Sequence, residues 1–187
     1  MNDLSCPVAN VSQSRRKPTR SGILALTFAA IVALAGCTSP PVNQTVSFDE
    51  SDFKSYQTPG TAVIQGHAFV RSDTGVKHGA AGIQITLVPL TAYTEERAHI
   101  MESRRDPAPA DPRLEPYVKT VVGDWGGDYK FEGLPAGKYL IFCKVEWERQ
   151  NPNNMNRSGS GEFYALARTQ VKNGEHKSVV VTNLGQK

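Results

Sequence analysis

Apolar and polar residues alternate in several short stretches of the chain, most clearly between residues 128 and 147. Tyr129 and Phe131 lie two positions apart, so a strand through them carries both rings on one face. The later run, residues 139–147, alternates on one face and has further apolar residues on the other. We expect Phe131 and Tyr139 to be core residues, and this run to be a central strand, because both of its faces need cover.

Seven stretches rich in β-branched and aromatic residues predict strands, and Gly, Pro, Asn and Asp separate them. A series of short strands with turn residues between them is typical of a sandwich of two sheets. We therefore predict an all-β fold, a seven-stranded β-sandwich. The predicted strands are residues 62–71, 83–90, 117–123, 128–132, 139–147, 163–170 and 177–182.

Glycine-containing turns lie on both sides of the strand through Phe131. The segment Asp124–Asp128 has the sequence Asp-Trp-Gly-Gly-Asp and predicts a tight reversal, since Gly and Asp tolerate positive φ. Residues 133–137, Gly-Leu-Pro-Ala-Gly, end one strand and redirect the chain into the next. We expect a backbone conformation at Gly137 that a side chain tolerates poorly, at a cost on the order of 1 kcal/mol if φ is positive.

These residues also carry a family resemblance. Residues 127–139, Gly-x-Tyr-x-Phe-x-x-Leu-Pro-Ala-Gly-x-Tyr, resemble the signature hairpin of carboxypeptidase-regulatory-like (prealbumin-like) domains. Residues 66–70 and 79–89 are similar to two further strands of that family, so the resemblance covers about two thirds of the chain beyond residue 37. It implies a prealbumin-like or immunoglobulin-like sandwich that serves as an accessory or binding module.

Two connections are longer than a compact domain requires, and such loops are often functional. Residues 91–116 begin with a segment that predicts a short helix, with Glu95 and Glu96 at its positive end, and continue as a proline-rich stretch that ends it. Residues 149–161 are rich in Asn, Ser and Gly and predict a loop. The acidic side chains of the helix are interpreted as a solvated face rather than as catalytic acids.

The first part of the chain predicts export. Basic residues precede an apolar run of 15 residues, Gly22 to Gly36, which is short for a membrane-spanning helix. The run ends in Leu-Ala-Gly-Cys, which resembles a bacterial lipobox; a plain signal peptide or a core helix would leave Cys37 unexplained. We interpret residues 1–36 as a lipoprotein signal peptide, residues 37–60 as a lipidated tether, and residues 61–187 as the carboxypeptidase-regulatory-like domain.

The lipobox resemblance also indicates a location. It implies that Cys37 carries diacylglycerol and an acyl chain such as palmitate, and two or more buried chains hold a protein firmly on a membrane. The inner-membrane retention residue Asp does not follow the cysteine, because Thr38 and Ser39 stand there. We expect the outer membrane of a bacterial cell envelope, with the domain facing the periplasm. The pair Arg15-Arg16 fits a twin-arginine signal poorly.

The charge of the chain argues against nucleic-acid binding, and its cysteine content argues against an internal disulfide. The chain has 21 Lys and Arg against 18 Asp and Glu, and without residues 1–36 both counts are 17. The basic character therefore belongs to the targeting segment and does not indicate nucleic acid. Beyond the targeting segment only Cys37 and Cys143 remain, so no internal disulfide is expected once Cys37 is lipidated. Cys143 is predicted to be buried and inert.

No motif predicts a metal site, a cofactor or catalysis. The histidines His67, His78, His99 and His176 lack the paired spacing of metal ligands. Two enzyme groups share the prealbumin-like architecture. Hydroxyisourate hydrolases end in Tyr-Arg-Gly-Ser, whereas this chain ends in Asn-Leu-Gly-Gln-Lys, and intradiol dioxygenases need a His-x-His step that is absent here. We therefore expect no enzyme activity, no metal and no cofactor.

Exposed aromatic residues are the remaining candidates for binding. Trp125 lies in a glycine-rich turn, and Tyr93 and Tyr117 flank the first long insertion. Aromatic side chains at a loop cluster can contact a glycan or a protein partner. The alternative for Trp125 is that it folds back and caps the edge of the sandwich.

Together these features predict an outer-membrane-anchored periplasmic lipoprotein that acts as a non-enzymatic structural or protein-binding module. Its expected partners are the membrane, through the N-terminal lipid, and an envelope protein, with no nucleic acid. The alternative is a metal- or glycan-binding accessory of an envelope enzyme or transporter, since a sandwich fold alone does not decide function.

Overall fold

The computed structural model describes residues 40–149 and 159–184. The described residues form eight β-strands, one α-helix and two 3₁₀ helices, and all of them lie in one compact unit. The predicted signal peptide, Cys37 and most of the predicted 149–161 loop lie outside them. The elements are a 3₁₀ helix Glu50–Tyr56, β1 Ala62–Arg71, β2 Lys77–Gly79, β3 Gln84–Pro89, α1 Ala92–Glu102, a 3₁₀ helix Pro112–Tyr117, β4 Lys119–Val122, β5 Asp128–Leu134, β6 Gly137–Arg149, β7 Gly159–Val171 and β8 His176–Val181.

The strands form two four-stranded sheets, which confirms the predicted β-sandwich. In sheet A, β1 pairs with β5 and β2 in antiparallel fashion and with β8 in parallel. In sheet B, the antiparallel order is β4-β3-β6-β7. The described part of the chain has one strand more than the seven predicted. The additional strand, β2, has only three residues and no alternation that could reveal it.

The inner faces of the two sheets form the main core. Tyr129 and Phe131 of β5 are buried there, as is Tyr139 of β6. The Tyr129 hydroxyl donates to the carbonyl of Val179 on β8 at 2.8 Å. The Tyr129 side chain passes over Gly66 of β1. A Cβ on Gly66 would lie 1.8 Å from the carbonyl oxygen of Val179. The predicted core positions are thus confirmed, and the glycine in β1 permits the close approach of β8.

Strand β6 is central in sheet B and is covered on both sides, as predicted. Ile141 and Cys143 on its inner face belong to the main core. Leu140 on its outer face packs with Ala98 and Met101 of α1. Burial raises the pKa of the Cys143 thiol to about 12, so the thiol stays protonated at neutral pH. The expectation of a buried, inert cysteine agrees with this environment.

Gly137, the first residue of β6, is required for a different reason from the one predicted. The φ angle of Gly137 is not positive, so the expected backbone strain is wrong; positive values occur at Gly127, with φ 82°, and at Gly133, with φ 66°. A Cβ on Gly137 would instead lie 2.4 Å from the ring of Tyr56. The Tyr56 hydroxyl accepts from the Lys138 amide and donates to the Lys138 carbonyl, both at 3.1 Å.

The interpretation of residues 37–60 as a tether is wrong for much of that segment. Phe48 and Phe53 are buried in a separate cluster with Tyr93 and Leu114. The two phenylalanine rings stack with centroids 4.8 Å apart. Four buried aromatic and aliphatic side chains bind this segment to the insertion, so the folded unit begins well before residue 61. The apolar alternation in this segment is weak, and the cluster could not be predicted because it joins segments that are distant in the chain.

The predicted short helix in the 91–116 insertion is present as α1. The Thr91 side chain caps its N-terminus, and Thr94 completes the reciprocal capping contact. Arg168 of β7 binds Glu95 and Glu102 of the helix at 2.7 and 2.5 Å. The helix therefore lies over the outer face of sheet B.

Candidate functional site

The outer face of sheet A differs from that of sheet B because its side chains are exposed. Gln65 of β1, Lys130 of β5 and Ser178 of β8 are neighbours across this face and all are exposed. A shallow open groove of about 350 Å³ runs over them. Its lining includes Gln65, His67, Asp128, Lys130, Ser178 and Val180. We call this groove and its lining the open face.

A chain of three polar side chains lies at one end of the open face. His67 and Asp128 face each other across β1 and β5, and Nδ1 of His67 is 2.9 Å from Oδ1 of Asp128. Nε2 of His67 is 2.9 Å from Nζ of Lys77 on β2. A lysine ammonium only donates, so Nε2 accepts, and Nδ1–H donates to the carboxylate. This arrangement requires a neutral imidazole.

Phe69 extends the same end of the face with an aromatic surface. The Lys77 ammonium lies 4.5 Å from the centroid of the Phe69 ring, within cation–π distance, and the His67 ring is 5.7 Å away. The side chains of His67 and Asp128 are 30% and 64% exposed, so a ligand can reach both. The face thus offers hydrogen-bond donors, a carboxylate and an aromatic ring in one region.

Trp125 is fully exposed, with a relative accessibility of 101%. The alternative that it folds back to cap the sandwich is therefore wrong. Its turn is rigid because Oδ1 of Asp124 accepts from the amides of Gly126 and Asp128, both at 2.8 Å. These backbone hydrogen bonds also lower the pKa of Asp124. The turn leads directly into Asp128, so the turn that carries Trp125 adjoins the His67 end of the open face.

The structure does not bring Tyr93 to this site. Its side chain is 5% exposed and packs against Phe48 with ring centroids 5.5 Å apart. The Tyr93 hydroxyl accepts from the Asp111 amide at 2.8 Å. The expectation that Tyr93 contacts a ligand is wrong, because the insertion folds over it.

Tyr117 lies at the other end of β4 from Trp125, so the three aromatic residues do not form one cluster. It is half-buried against Phe53, with ring centroids 4.9 Å apart. It lines a cleft of about 170 Å³ together with Tyr56 and Tyr139. The Tyr117 hydroxyl accepts from the side-chain amide of Gln57 at 3.1 Å. Its partners are thus internal to the domain.

The contacts among His67, Asp128 and Lys77 were not predicted from the sequence. His67 and Asp128 are 61 residues apart, and only the register of β1 against β5 makes them neighbours. The alternation in β1 placed His67 on a strand face with Phe69, which was the available signal. The short strand β2, which carries Lys77, had no signal.

The described residues contain no group of three or more metal-ligating side chains. None of the helices among them has the length and apolar character needed to span a bilayer.

Known proteins support the fold. No family model matches the chain, and no curated protein matches it. Among solved structures, a candidate carbohydrate-binding protein from Pseudomonas aeruginosa is similar, with 23% identity and a TM-score of 0.64 over 73% of this chain and 98% of that chain. The major pilin subunit of Bacillus cereus has 14% identity and a TM-score of 0.34, covering 67% of this chain and 31% of that one. The first likeness shows the fold alone, and the second is too weak to add to it.

Proposed function

We propose that the protein is an outer-membrane-anchored periplasmic lipoprotein that acts as a non-enzymatic binding module through its open face. The lipobox resemblance at Cys37 supports the anchoring. The observation that carries the binding role is Trp125, fully exposed on a turn that Asp124 holds rigid. An exposed tryptophan on a rigid turn supplies contact area at low entropic cost, which is typical of recognition surfaces.

The chemistry of the open face supports binding rather than catalysis. Both ring nitrogens of His67 are engaged, one with Asp128 and the other with Lys77. A histidine that accepts from an ammonium is poorly placed to accept a proton from a substrate as well. No serine, threonine or cysteine hydrogen-bonds to His67 among the described residues, so a nucleophile activated by this base is not part of the proposal.

The first candidate ligand is an envelope protein partner, which would place Trp125 in a pocket of its own surface. The second candidate is a carbohydrate, which two observations favour. The open face is shallow, and most of its lining residues carry polar groups, with Gln65, Lys130 and Ser178 available for hydroxyl groups. A similar fold occurs in the candidate carbohydrate-binding protein of Pseudomonas aeruginosa.

We also propose that the sandwich is a carboxypeptidase-regulatory-like domain. The motif residues have structural roles that support this assignment. Gly66 admits β8, Tyr129 and Phe131 are buried in the core, and Gly137 admits the ring of Tyr56. Each role explains why a residue of that type is needed at that position of the motif.

The proposal is tested with the full chain purified from solubilised envelopes and with its Trp125→Ala and His67→Ala variants. Affinity capture identifies proteins that co-purify in stoichiometric amount, and a glycan array tests polysaccharides of the envelope. We expect both variants to lose the ligand while their melting temperatures stay near that of the wild type, because both side chains lie outside the core. Unchanged binding by both variants would exclude the open face as the binding surface.

A matched control distinguishes the open face from the rest of the surface. Val122 is 65% exposed on β4, an edge strand of sheet B. Val122→Ala, like Trp125→Ala, removes exposed apolar surface, but from sheet B. We expect it to leave binding unchanged. For the anchor, Cys37→Ser in cells fed a labelled fatty acid should remove the label from the protein; equal labelling of variant and wild type would contradict lipidation at Cys37.

A further inference from the structure

A cavity of about 150 Å³ lies between sheet B and the insertion that covers it. Its floor is formed by outward-facing residues of the sheet, including Val88, Leu140 and Phe142. Its other walls come from the insertion and include Met101 of α1 and Leu114 of the second 3₁₀ helix. Protein interiors rarely leave a void of this size unfilled. An engineered apolar cavity of about this volume stays dry and holds one benzene molecule, which has six carbons.

The lining favours an apolar occupant over water. Among the described residues, no buried side-chain nitrogen or oxygen lacks a hydrogen-bond partner. The hydroxyl of Thr94, which lines the cavity, donates to the Pro89 carbonyl at 2.7 Å. Apart from Thr86 and Arg97 the rest of the lining is apolar or already hydrogen-bonded, whereas a water molecule needs two to four polar partners. Met101 adds a flexible wall that can adapt to an inserted group.

One charged side chain lines the cavity, and its charge is not neutralised within the described structure. Nη1 of Arg97 donates to the side-chain oxygen of Gln44 at 2.7 Å and to the carbonyl of Ala108 at 2.8 Å. These two neutral acceptors hold the guanidinium in place. Among the described residues no carboxylate lies within ion-pair distance of Arg97. No buried side-chain nitrogen there lacks a partner, so its Nε and Nη2 groups, which have no acceptor, are accessible to a ligand. A partly buried guanidinium without a counter-charge is suited to an anionic group.

We propose that this cavity binds the end of a short- to medium-chain fatty acid, with the alkyl chain between sheet and insertion and the carboxylate on Arg97. The proposal concerns a site on the opposite sheet from the open face and does not depend on the proposed function. The volume accommodates about six carbons of the chain, and longer acids would extend toward the surface.

The test compares three small molecules that separate the two parts of the site. Hexanoate carries both the alkyl chain and the carboxylate, 1-hexanol has the chain without the charge, and acetate has the charge without the chain. Binding to the full chain is followed by calorimetric titration and by the rise in melting temperature. We expect saturable binding of hexanoate, binding of 1-hexanol about tenfold weaker, since hydrogen bonds to charged groups are strong, and no binding of acetate.

Two variants assign the binding to this cavity. Thr86 lines the cavity and faces Thr120 across β3 and β4, and Thr120 is exposed. Thr86→Leu fills the cavity and should abolish binding of both six-carbon molecules, whereas Thr120→Leu should leave it unchanged. If Thr86→Leu does not fold, Val118→Phe fills the same space from the residue between the second 3₁₀ helix and β4.

Arg97→Gln tests the anionic half of the proposal. We expect hexanoate to bind this variant no more tightly than 1-hexanol does, with the affinity for 1-hexanol retained as a sign that the cavity is intact. Failure of hexanoate and 1-hexanol to bind the wild type would overturn the whole proposal. Binding that persists in the filled variants would do so as well, and an unchanged preference for hexanoate in Arg97→Gln would overturn the role of Arg97.

Discussion

The outer face of sheet B is covered by the chain itself, whereas the outer face of sheet A is exposed to solvent. On sheet B, Leu140 and Val88 face outward, and the insertion with α1 covers them. On sheet A, the equivalent outward positions are polar, such as Gln65 and Lys130, and they remain exposed. An apolar outer face must be covered by the chain itself, whereas a polar one is stable in water. The open face is therefore suited to polar recognition rather than to permanent packing against another domain.

The largest expected effect is a loss of unfolding free energy, and it distinguishes a core residue of sheet A from a residue on the exposed turn next to it. Phe131 is 3% exposed in the core, so Phe131→Ala should cost about 3–5 kcal/mol of unfolding free energy. Trp125→Ala, a few residues away on the exposed turn, should change it by less than about 0.5 kcal/mol. Urea unfolding of both variants measures the difference. A Phe131→Ala protein as stable as wild type would show that the core is misplaced.

A second pair compares outward-facing aliphatic residues of the two sheets. Leu140 on sheet B is 1% exposed, and Leu140→Ala should cost about 2–5 kcal/mol because it leaves a void under α1. Val180 on sheet A is 54% exposed, and Val180→Ala should be within about 0.5 kcal/mol of wild type. The same unfolding measurement applies. Equal losses in the two variants would mean that sheet A is covered as well.

Ion pairs on the outer faces of the two sheets should differ less in their contribution to the unfolding free energy. Arg168 joins β7 to Glu95 and Glu102 of α1, whereas Lys130 pairs with Glu132 along β5 on the open face. Arg168→Ala should cost about 0.5–1 kcal/mol, since several charges share one partly exposed network, and Lys130→Ala close to zero. Amide exchange in α1 should rise in Arg168→Ala only. Unaltered exchange there would show that apolar packing alone holds the helix.

The smallest effect concerns the N-terminal segment that packs on α1. The Glu96 carboxylate accepts from the Thr45 hydroxyl at 2.6 Å and from the amides of Thr45 and Val46. These bonds, the Thr45 hydroxyl foremost, lower the pKa of Glu96 below its ordinary value of 4.5. The stabilising contribution of a carboxylate with a lowered pKa is complete above the ordinary value and is lost as pH falls through the lowered one.

We therefore expect local opening of this segment to increase in wild type as pH falls below 4.5, the ordinary pKa of the Glu96 carboxyl, toward its lowered pKa. Exchange of the Val46 amide, measured against pH, is the readout. In Glu96→Gln the amide should exchange faster at neutral pH and show no added dependence in the acid range. Parallel pH profiles for the two proteins would assign the acid response to another group.

The amino-acid sequence by itself determined the sandwich and most of its core. Strand alternation around Phe131 and Tyr139 is a local signal, because inward and outward positions repeat every two residues whatever the partner strand. The turn at Asp124–Asp128 was also local, since Gly and Asp make it with their own backbone. The short helix α1 was predicted from Glu95 and Glu96 near its start and from the proline-rich stretch that follows it, whereas its cap, Thr91, was not predicted.

Only the tertiary structure decided which candidate residues meet. Tyr93 and Trp125 were equal candidates in the sequence, but one is buried under the insertion and the other is fully exposed. The contact of His67 with Asp128 depends on strand register, and the clash that requires Gly137 comes from Tyr56, 81 positions earlier. Such contacts join segments far apart in the chain. Local patterns carry no information about them, because register and insertion packing are set by the whole domain.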